Sequence, residues 1–239
     1  MSEEPSSQFL QGLHQLAIDN NHILQQFLRY RQELLEWNTR FNLTAIKDPQ
    51  EVLIKHFLDS LSLLAVFDQP RARVLDIGSG AGFPGLPLKI VRPGWQVTLL
   101  EATGKRVTFL RHIVDVLQLE DVSFVQGRAE DVGRQQDLRA AFDLVTARAV
   151  AALPTLLEYC APFSRAGGLI VLPKKGELAD EMEAGCRAAG QLGAAFKADT
   201  AVTLPGLDDD RRLLVWEQRK PCPAHYPRSG PAMAKRPLG

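Results

Sequence analysis

Residues 74–85 read VLDIGSGAGFPG, and this segment limits what the rest of the chain can fold into. Val74–Ile77 predicts a short strand, and the glycines that follow it predict a tight turn into a helix. Gly78, Gly80 and Gly82 carry no Cβ, so a ligand can approach their backbone closely. The free N–H groups at the start of the next helix attract negative charge. The segment is therefore typical of a nucleotide-binding turn at the edge of an α/β sheet.

Short apolar segments alternate with helical patterns along the rest of the chain. We predict strands at Val74–Ile77, Val97–Leu100, Val122–Val125, Phe142–Val145 and Leu169–Leu172, and helices at Leu86–Val91 and Lys105–Leu117. Strand–helix–strand units are right-handed and give a parallel sheet that is covered on both faces. Ala201–Leu204 and Arg212–Glu217 predict a hairpin around Asp208–Asp210, which would give the sheet an antiparallel edge. The predicted fold class is α/β, Rossmann-like, mostly parallel with an antiparallel edge.

The first third of the chain is helical by the same criterion. Apolar residues recur at helical spacing over Asn21–Trp37 and Pro49–Phe67, and the polar segment Asn38–Thr44 lies between them. With 239 residues, 45% of them hydrophobic, the chain is long enough for one α/β domain and a short accessory element. We therefore divide it into an N-terminal helical cap region (1–70), a core (71–219) and a basic, proline-rich tail (220–239).

Two features distinguish the glycine loop from a dinucleotide site. Phe83 stands where a third glycine would complete the dinucleotide motif G-x-G-x-x-G. Asp76 precedes the first glycine by two residues, and a carboxylate in this position would repel a pyrophosphate but could face an ammonium group. Glu101 ends the second strand, in the place of an acid that accepts ribose hydroxyls, and Arg128–Asp131 follows the third strand beside the expected adenine. These positions favour S-adenosylmethionine (SAM), with a purely structural turn as the alternative.

Arg148 follows the fourth strand, at the edge where ligands of doubly wound sheets gather. The Asn/Asp-Pro-Pro-aromatic motif that is common in enzymes methylating exocyclic amines is absent from this segment. A guanidinium stays protonated and cannot act as a base, so it fits charge recognition. The site would suit a nucleophile that needs no deprotonation, such as a ring nitrogen with a free lone pair.

Composition excludes several other classes of protein. The chain has a formal net charge of zero, so an RNA partner would need a local basic surface. The N-terminus lacks the basic start and apolar stretch of a secretory signal, and no apolar run reaches the length of a membrane span, which predicts a cytoplasmic protein. Cys160, Cys186 and Cys222 form no disulfide framework, although Pro221-Cys222 could mark a nucleophile. The scattered histidines indicate no metal site.

Taken together, these motifs resemble the RsmG (glucose-inhibited division protein B) family. The resemblance rests on Trp37–Thr44, His56–Ser60, Asp76–Gly85, Gly104–Arg106, Arg148–Ala149, Lys174–Gly176 and Tyr226–Leu238. It implies a class I SAM-dependent methyltransferase that methylates N7 of one guanine in 16S ribosomal RNA, as naked RNA or within the small ribosomal subunit. We expect the chain to act as a monomer without metal. Glu101–Thr103 departs from the Asp and Ser of many members, but keeps their polar character.

The resemblance also assigns individual residues. It implies that SAM is bound by Gly78, Phe83, Glu101, Ala102, Thr103, Ala129, Glu130 and Arg148, and the glycine loop itself adds Asp76, Gly80 and Gly82 to this predicted set. Arg148 is the catalytic candidate; it would hold O6 of guanine, a phosphate or the methionine carboxylate, because N7 must stay free to attack. The RNA-binding candidates are Arg40, Lys105, Arg106, Lys174, Lys175, Arg228, Lys235 and Arg236. We expect the tail to be mobile and Tyr226 to stack on a base. The alternatives are a small-molecule methyltransferase and a non-catalytic SAM-binding factor associated with RNA.

Overall fold

The computed structural model describes residues 4–148, 151–176 and 178–239. Its α-helices are α1 (Ser7–Gln15), α2 (Asn21–Phe41), α3 (Pro49–Val52), α4 (Asp59–Leu61), α5 (Gly85–Val91), α6 (Gly104–Val116), α7 (Ala129–Val132), α8 (Leu153–Cys160), α9 (Ala179–Leu192) and α10 (Gly230–Lys235). A π-helical turn (Leu53–Leu58) joins α3 to α4, and a 3₁₀ turn (Ser62–Ala65) follows α4. The strands are β1 (Arg73–Ile77), β2 (Gln96–Glu101), β3 (Val122–Gln126), β4 (Phe142–Ala147), β5 (Ser164–Lys175), β6 (Ala194–Ala201) and β7 (Arg211–Gln218).

The seven strands form one sheet in the order β3-β2-β1-β4-β5-β7-β6. The first five of these are parallel, and β7 runs antiparallel to both β5 and β6. The predicted fold, a mostly parallel Rossmann-like sheet with an antiparallel edge, is therefore confirmed. The chain order reverses beside β1, where Ile77 pairs with Leu100 on one side and with Ala147 on the other. This reversal opens a crevice at the carboxyl ends of the strands.

The antiparallel edge is built from a different segment than predicted. β6 comprises Ala194–Ala201 rather than Ala201–Leu204, while β7 lies close to the predicted Arg212–Glu217. Edge strands are exposed and therefore need no apolar run: β6 reads AAFKADTA, which escapes a search for buried strands. The helix α1 was also missed. β5 is longer than Leu169–Leu172 at both ends, because its pairing with β7 continues to Lys175.

The N-terminal helices share one hydrophobic core with a face of the sheet. Tyr30 of α2 packs edge-on against Phe57 of the π-helical turn, with ring centroids 5.0 Å apart. The predicted helix ended at Trp37, with Phe41 in the polar segment after it, but α2 continues to Phe41 and both rings are half-buried. Trp37 contacts Phe109 of α6 at 5.5 Å. The cap thus packs directly on the helices that flank the glycine loop.

The expectation of a mobile C-terminal tail is wrong. Tyr226, Met233 and Leu238 are buried, and the guanidinium of Arg139 donates to the backbone carbonyls of Cys222, Pro223 and Tyr226. The tail is held on the core by a few buried apolar side chains and by hydrogen bonds from Arg139 to its backbone carbonyls, despite its polar composition. Because Tyr226 is buried there, it is not free to stack on an RNA base.

The strongest of these anchors is an ion pair. The carboxylate of Glu158 in α8 is inaccessible to solvent and accepts from the backbone N–H, Nε and Nη2 of Arg228 at 2.8, 2.8 and 2.6 Å. Arg228, predicted to contact RNA, therefore has a structural partner instead. Without it, Glu158 would be a buried charge lacking its counter-ion, which is costly.

We expect Arg228→Ala to lower the free energy of unfolding by roughly 3 kcal/mol, the scale for breaking a buried ion pair. The exposed Lys235 offers a matched control in the same tail, and Lys235→Ala should change stability by less than about 0.5 kcal/mol. Urea unfolding of both variants measures the difference. Equal stability of the two would show that the tail is not anchored through Glu158.

Candidate functional site

A cavity of about 600 Å³ opens at the carboxyl ends of β1, β2 and β4. Nine of the predicted ligand-binding residues line it: Gly78, Gly80, Phe83, Glu101, Ala102, Thr103, Ala129, Glu130 and Arg148. They come from four separate segments of the sequence, which the sheet brings together at one edge. This volume lies within the usual range for small-molecule and cofactor sites.

The glycine loop has the conformation that its composition requires. Gly78 and Gly80 have φ of 69° and 59°, in the left-handed region that favours glycine, and both lie on the cavity wall. Gly82 does not line the cavity, contrary to its assignment as a ligand contact. A Cβ at Gly82 would collide with the Tyr30 hydroxyl and with Leu86. Gly82 is therefore needed for packing of the cap against the loop.

Asp76 lies beneath the loop and does not line the cavity. The structure therefore does not place it where it was predicted to face a ligand's ammonium group. Its side chain is fully buried, and Oδ2 accepts from the backbone N–H of Gly85 at 2.9 Å. Its other oxygen has no hydrogen-bond partner among the described residues. Burial raises the pKa of Asp76 to about 7. Its observed contact ties β1 to the first residue of α5.

Glu101 connects the two loops that form the cavity floor. Oε2 accepts from the N–H of Gly80 at 2.9 Å and Oε1 from the N–H of Thr103 at 2.8 Å, while Nη1 of Arg106 lies 3.7 Å from Oε2. Each carboxylate oxygen can accept a second hydrogen bond, so Glu101 still has the capacity to bind hydroxyls. The same carboxylate thus holds the glycine loop and faces the cavity.

Phe83 of the glycine loop and His56 of the cap form an aromatic wall of the cavity, and of these two only Phe83 was predicted to bind the ligand. The ring of Phe83 stacks on Tyr30 at 5.3 Å and 9° on one side, and on His56 at 4.7 Å and 16° on the other. The Tyr30 hydroxyl donates to the carbonyl of Ala81 and so holds the glycine loop. The signal for His56 was available in the His56–Ser60 motif. Its place against Phe83 requires the fold of the π-helical turn, a feature that recurs at functional sites.

His56 is neutral by virtue of its surroundings. Its Nδ1 lies 3.3 Å from Nη2 of Arg148, which can only donate, so the proton resides on Nε2 and is donated to Oγ1 of Thr44 at 2.7 Å. Thr44 is positioned by Asn38, whose side chain bonds both its N–H and its carbonyl. Burial, followed by the charges of Arg148 and Arg211, lowers the pKa of His56 to about 3.

Arg148 is fixed by a buried carboxylate. Its Nη1 donates to Oδ2 of Asp59 at 2.9 Å, and its guanidinium lies 5.5 Å from the centroid of the Phe83 ring. Oδ1 of Asp59 accepts from Nη1 of Arg211, which also binds Asp209. One carboxylate therefore joins the cap, the end of β4 and the start of β7. Ala149, the second residue of the predicted pair, lies outside the described residues.

The predicted RNA-binding residues are not equally available. Arg40, Lys105, Lys235 and Arg236 are exposed, and Arg106 lines the cavity. Lys174 and Lys175 form ion pairs with Glu181 and Asp209, and Arg228 is held by Glu158. Surface ion pairs of this kind are weak and can exchange partners. The ion pair between Arg228 and Glu158 is not a surface pair, because the Glu158 carboxylate is buried.

Other chemistry suggested by the sequence finds no support in the described part of the chain. Cys222 is buried, and burial raises the pKa of its thiol to about 11, which disfavours the nucleophilic thiolate. Residues 4–148, 151–176 and 178–239 hold no group of three His, Cys, Asp or Glu side chains that could bind a metal. Within these residues no helix has the length and apolarity needed to cross a membrane.

Comparison with known proteins identifies close relatives. Residues 23–203 match the family model described as GidB: rRNA small subunit methyltransferase G. The Ribosomal RNA small subunit methyltransferase G of Roseiflexus sp. (strain RS-1) is 46% identical over 223 residues, 93% of this chain and 94% of that protein. The protein of the same name from Exiguobacterium sibiricum is 41% identical over 234 residues, 97% and 98% of the two chains.

Solved structures agree on the fold. The M. jannaschii TYW2 in complex with AdoMet matches with a TM-score of 0.51 and 16% identity, over 65% of this chain and 73% of that one. At this identity the match supports the architecture of the sheet and its flanking helices.

The neutral His56 predicts a distinct acid sensitivity. The unfolded chain binds a proton on this histidine near pH 6.5, whereas the folded protein binds it only near pH 3, so stability falls as the pH drops through this window. Between pH 6.5 and 4, the wild type should lose up to about 1.4 kcal/mol per pH unit more than His56→Gln. Replacing the exposed His22 by Gln should leave the wild-type slope unchanged. Parallel stability curves for wild type and His56→Gln would refute a buried neutral histidine.

Proposed function

Since the chain belongs to the rRNA small subunit methyltransferase G family, we propose that it transfers the methyl group of SAM to N7 of one guanine in 16S ribosomal RNA. The observation that carries this proposal is the position of Arg148 on the wall of the cavity, fixed by Asp59 and adjacent to a neutral His56. The groups beside Arg148 offer orientation and charge recognition: His56 is neutral, and both oxygens of Asp59 bind arginines.

The cavity residues fit SAM. Gly78 and Gly80 let the cofactor approach the backbone, Glu101 accepts the ribose hydroxyls, and Ala129 with Glu130 borders the adenine. Ala102 and Thr103 continue the wall beside Glu101, and Phe83 lies at the opposite side, close to Arg148. Asp76 acts through the loop, because its carboxylate holds the backbone N–H of Gly85.

The proposed reaction needs no proton transfer. When bound, SAM supplies a methyl carbon on a positively charged sulfur; the N7 lone pair forms the new N–C bond while the S–C electrons return to sulfur. Guanine N7 carries no hydrogen at neutral pH, and a His56 with a pKa near 3 neither donates nor stores a proton there. The residues instead contribute proximity and alignment, effects that are worth several kcal/mol.

Recognition of ribosomal RNA would involve the exposed basic residues near the cavity. Arg106 on its wall and Lys105 beside it can contact phosphates, and Lys174 and Lys175 can exchange their acid partners for phosphates. Arg40, Lys235 and Arg236 are further candidates. We also propose a monomer, because Leu10 and Phe196 are the two exposed large apolar residues among those described. A cytoplasmic location is proposed with it, since the ribosomal RNA that it would methylate lies there.

Methyl transfer from labelled SAM to naked 16S RNA, assembled small subunits and a pool of small metabolites tests the proposal. We expect label in RNA or the subunit, with strand cleavage mapping it to guanine N7. Label in small metabolites would indicate a small-molecule methyltransferase instead. SAM binding without any transfer would indicate a non-catalytic RNA-associated factor.

Glu101→Ala should weaken binding of S-adenosylhomocysteine by roughly 1.5–3 kcal/mol, because it removes a charged acceptor of ribose hydroxyls and releases Gly80. The exposed Glu120, on the loop before β3, supplies the control Glu120→Ala, for which we expect no change. Calorimetric titration measures both. An effect below about 0.5 kcal/mol for Glu101→Ala would remove this residue from the binding site.

A further inference from the structure

A second cavity, of about 190 Å³, adjoins the first, and Arg148 lines both. The second cavity lies between the carboxyl end of β5, at Pro173, and the start of β7, at Leu213. Its place at the carboxyl end of a parallel strand, beside the crevice, is where a second substrate of a doubly wound fold is expected. Nothing in the SAM-binding proposal uses it.

The lining of this cavity combines apolar walls with a cationic rim. Leu156, Pro173, Val202 and Leu213 supply apolar surface, and the rim carries Lys174, Lys175 and Arg212. Among the described lining residues, Asp59 is the one acid, and both of its oxygens already bind arginines. The cavity therefore favours a ligand with flat apolar faces, acceptor atoms on its edge and negative charge outside.

The rim cations can be released for such a ligand. Nζ of Lys175 pairs with Asp209 at 2.6 Å and Nε of Arg212 with Asp199 at 2.7 Å, in partly exposed positions. Exposed pairs contribute little stability, so replacement of the acid by a phosphodiester costs little. Phosphate also accepts several charge-assisted hydrogen bonds at once.

The size selects a nucleobase over a whole nucleotide. An apolar cavity of about 150 Å³ accommodates benzene, so about 190 Å³ suits a bicyclic base whose sugar and phosphates stay outside. Guanine presents acceptors at O6 and N7, whereas adenine presents an N6 amino donor beside N7. The fixed donors of Arg148 therefore match the edge of guanine and oppose that of adenine.

We propose that this second cavity seats the target guanine, extruded from its RNA strand, while Lys174, Lys175 and Arg212 bind the flanking phosphates. The proposal rests on the proposed function and names the acceptor side of the same site. Arg148, which lines both cavities, then lies beside the acceptor and the methyl donor without separating them; it donates to O6 and leaves the N7 lone pair free to reach the methyl carbon. Extrusion is required because a base stacked in an RNA helix cannot present N7 to a cofactor buried in the protein.

Filling the cavity tests this placement. Val202 is a half-buried wall residue next to β6, and Val202→Trp should occupy the space meant for the base. Thr203→Trp adds the same ring at the next, exposed position outside the lining and serves as the control. We expect Val202→Trp to lower the single-turnover methylation rate at least tenfold, with affinity for S-adenosylhomocysteine within twofold of wild type. A Val202→Trp enzyme as fast as Thr203→Trp would overturn the proposal.

A measurement on the unmodified protein gives an independent test, which does not depend on folding of the variant. Wild type saturated with S-adenosylhomocysteine, so that the first cavity is filled, is titrated with guanosine monophosphate, adenosine monophosphate and inorganic phosphate. We expect guanosine monophosphate to bind at least tenfold more tightly than the other two. Equal binding of phosphate and guanosine monophosphate would mean an anion site without a base pocket and would contradict the proposal.

The two proposals fail in different ways. If wild type does not methylate ribosomal RNA at all, the proposed function fails, whatever the nucleotide titration gives. If wild type methylates RNA and Val202→Trp does so equally well, the function stands and only the placement of the guanine is wrong.

Discussion

The arrangement of the site depends on one buried carboxylate. Asp59 follows the π-helical turn of the cap, and its two oxygens bind Arg148 at the end of β4 and Arg211 at the start of β7. Three segments that are far apart in sequence are thereby held at one point. The two guanidiniums repel each other and each is partly desolvated, so the shared anion stabilises both, although Arg211 is also held by Asp209. Arg148 keeps its place between the two cavities for this reason.

The cap is accordingly part of the site rather than an attached module. Tyr30 fixes the glycine loop through the carbonyl of Ala81, and Phe83 lies between the rings of Tyr30 and His56. Gly82 must be a glycine because the Tyr30 hydroxyl occupies the space of its Cβ. The cap packs against the loop through Tyr30 and contributes His56 to the cavity wall, which keeps the loop in its observed conformation and lowers the entropy cost of binding.

The sequence predicted those parts of the fold that rest on local patterns. The strand and glycine turn at residues 74–85 and the parallel sheet follow from apolar runs and glycine spacing. Of the nine predicted residues that line the cavity, most follow from the loop and the strand ends, whereas Phe83, Ala102 and Thr103 came from the family resemblance. Patterns of this kind do not report tertiary packing. Asp76 was assigned to the ligand because its burial beneath the loop depends on the position of Gly85. The tail was expected to be mobile because Glu158, its buried partner, lies 70 residues away. His56 and Asp59 acquire their roles only when the cap meets β4.

Arg148→Ala offers the most direct test of the account, because Asp59 keeps Arg211 as a partner and the fold can persist. Single-turnover methylation is measured with SAM and RNA both saturating, beside the dissociation constant for RNA. We expect a rate about a hundredfold below that of wild type, because the acceptor is no longer aligned with the methyl donor. The affinity for RNA should change by less than about twofold. A wild-type rate from Arg148→Ala would contradict the placement of the reacting centre beside this arginine.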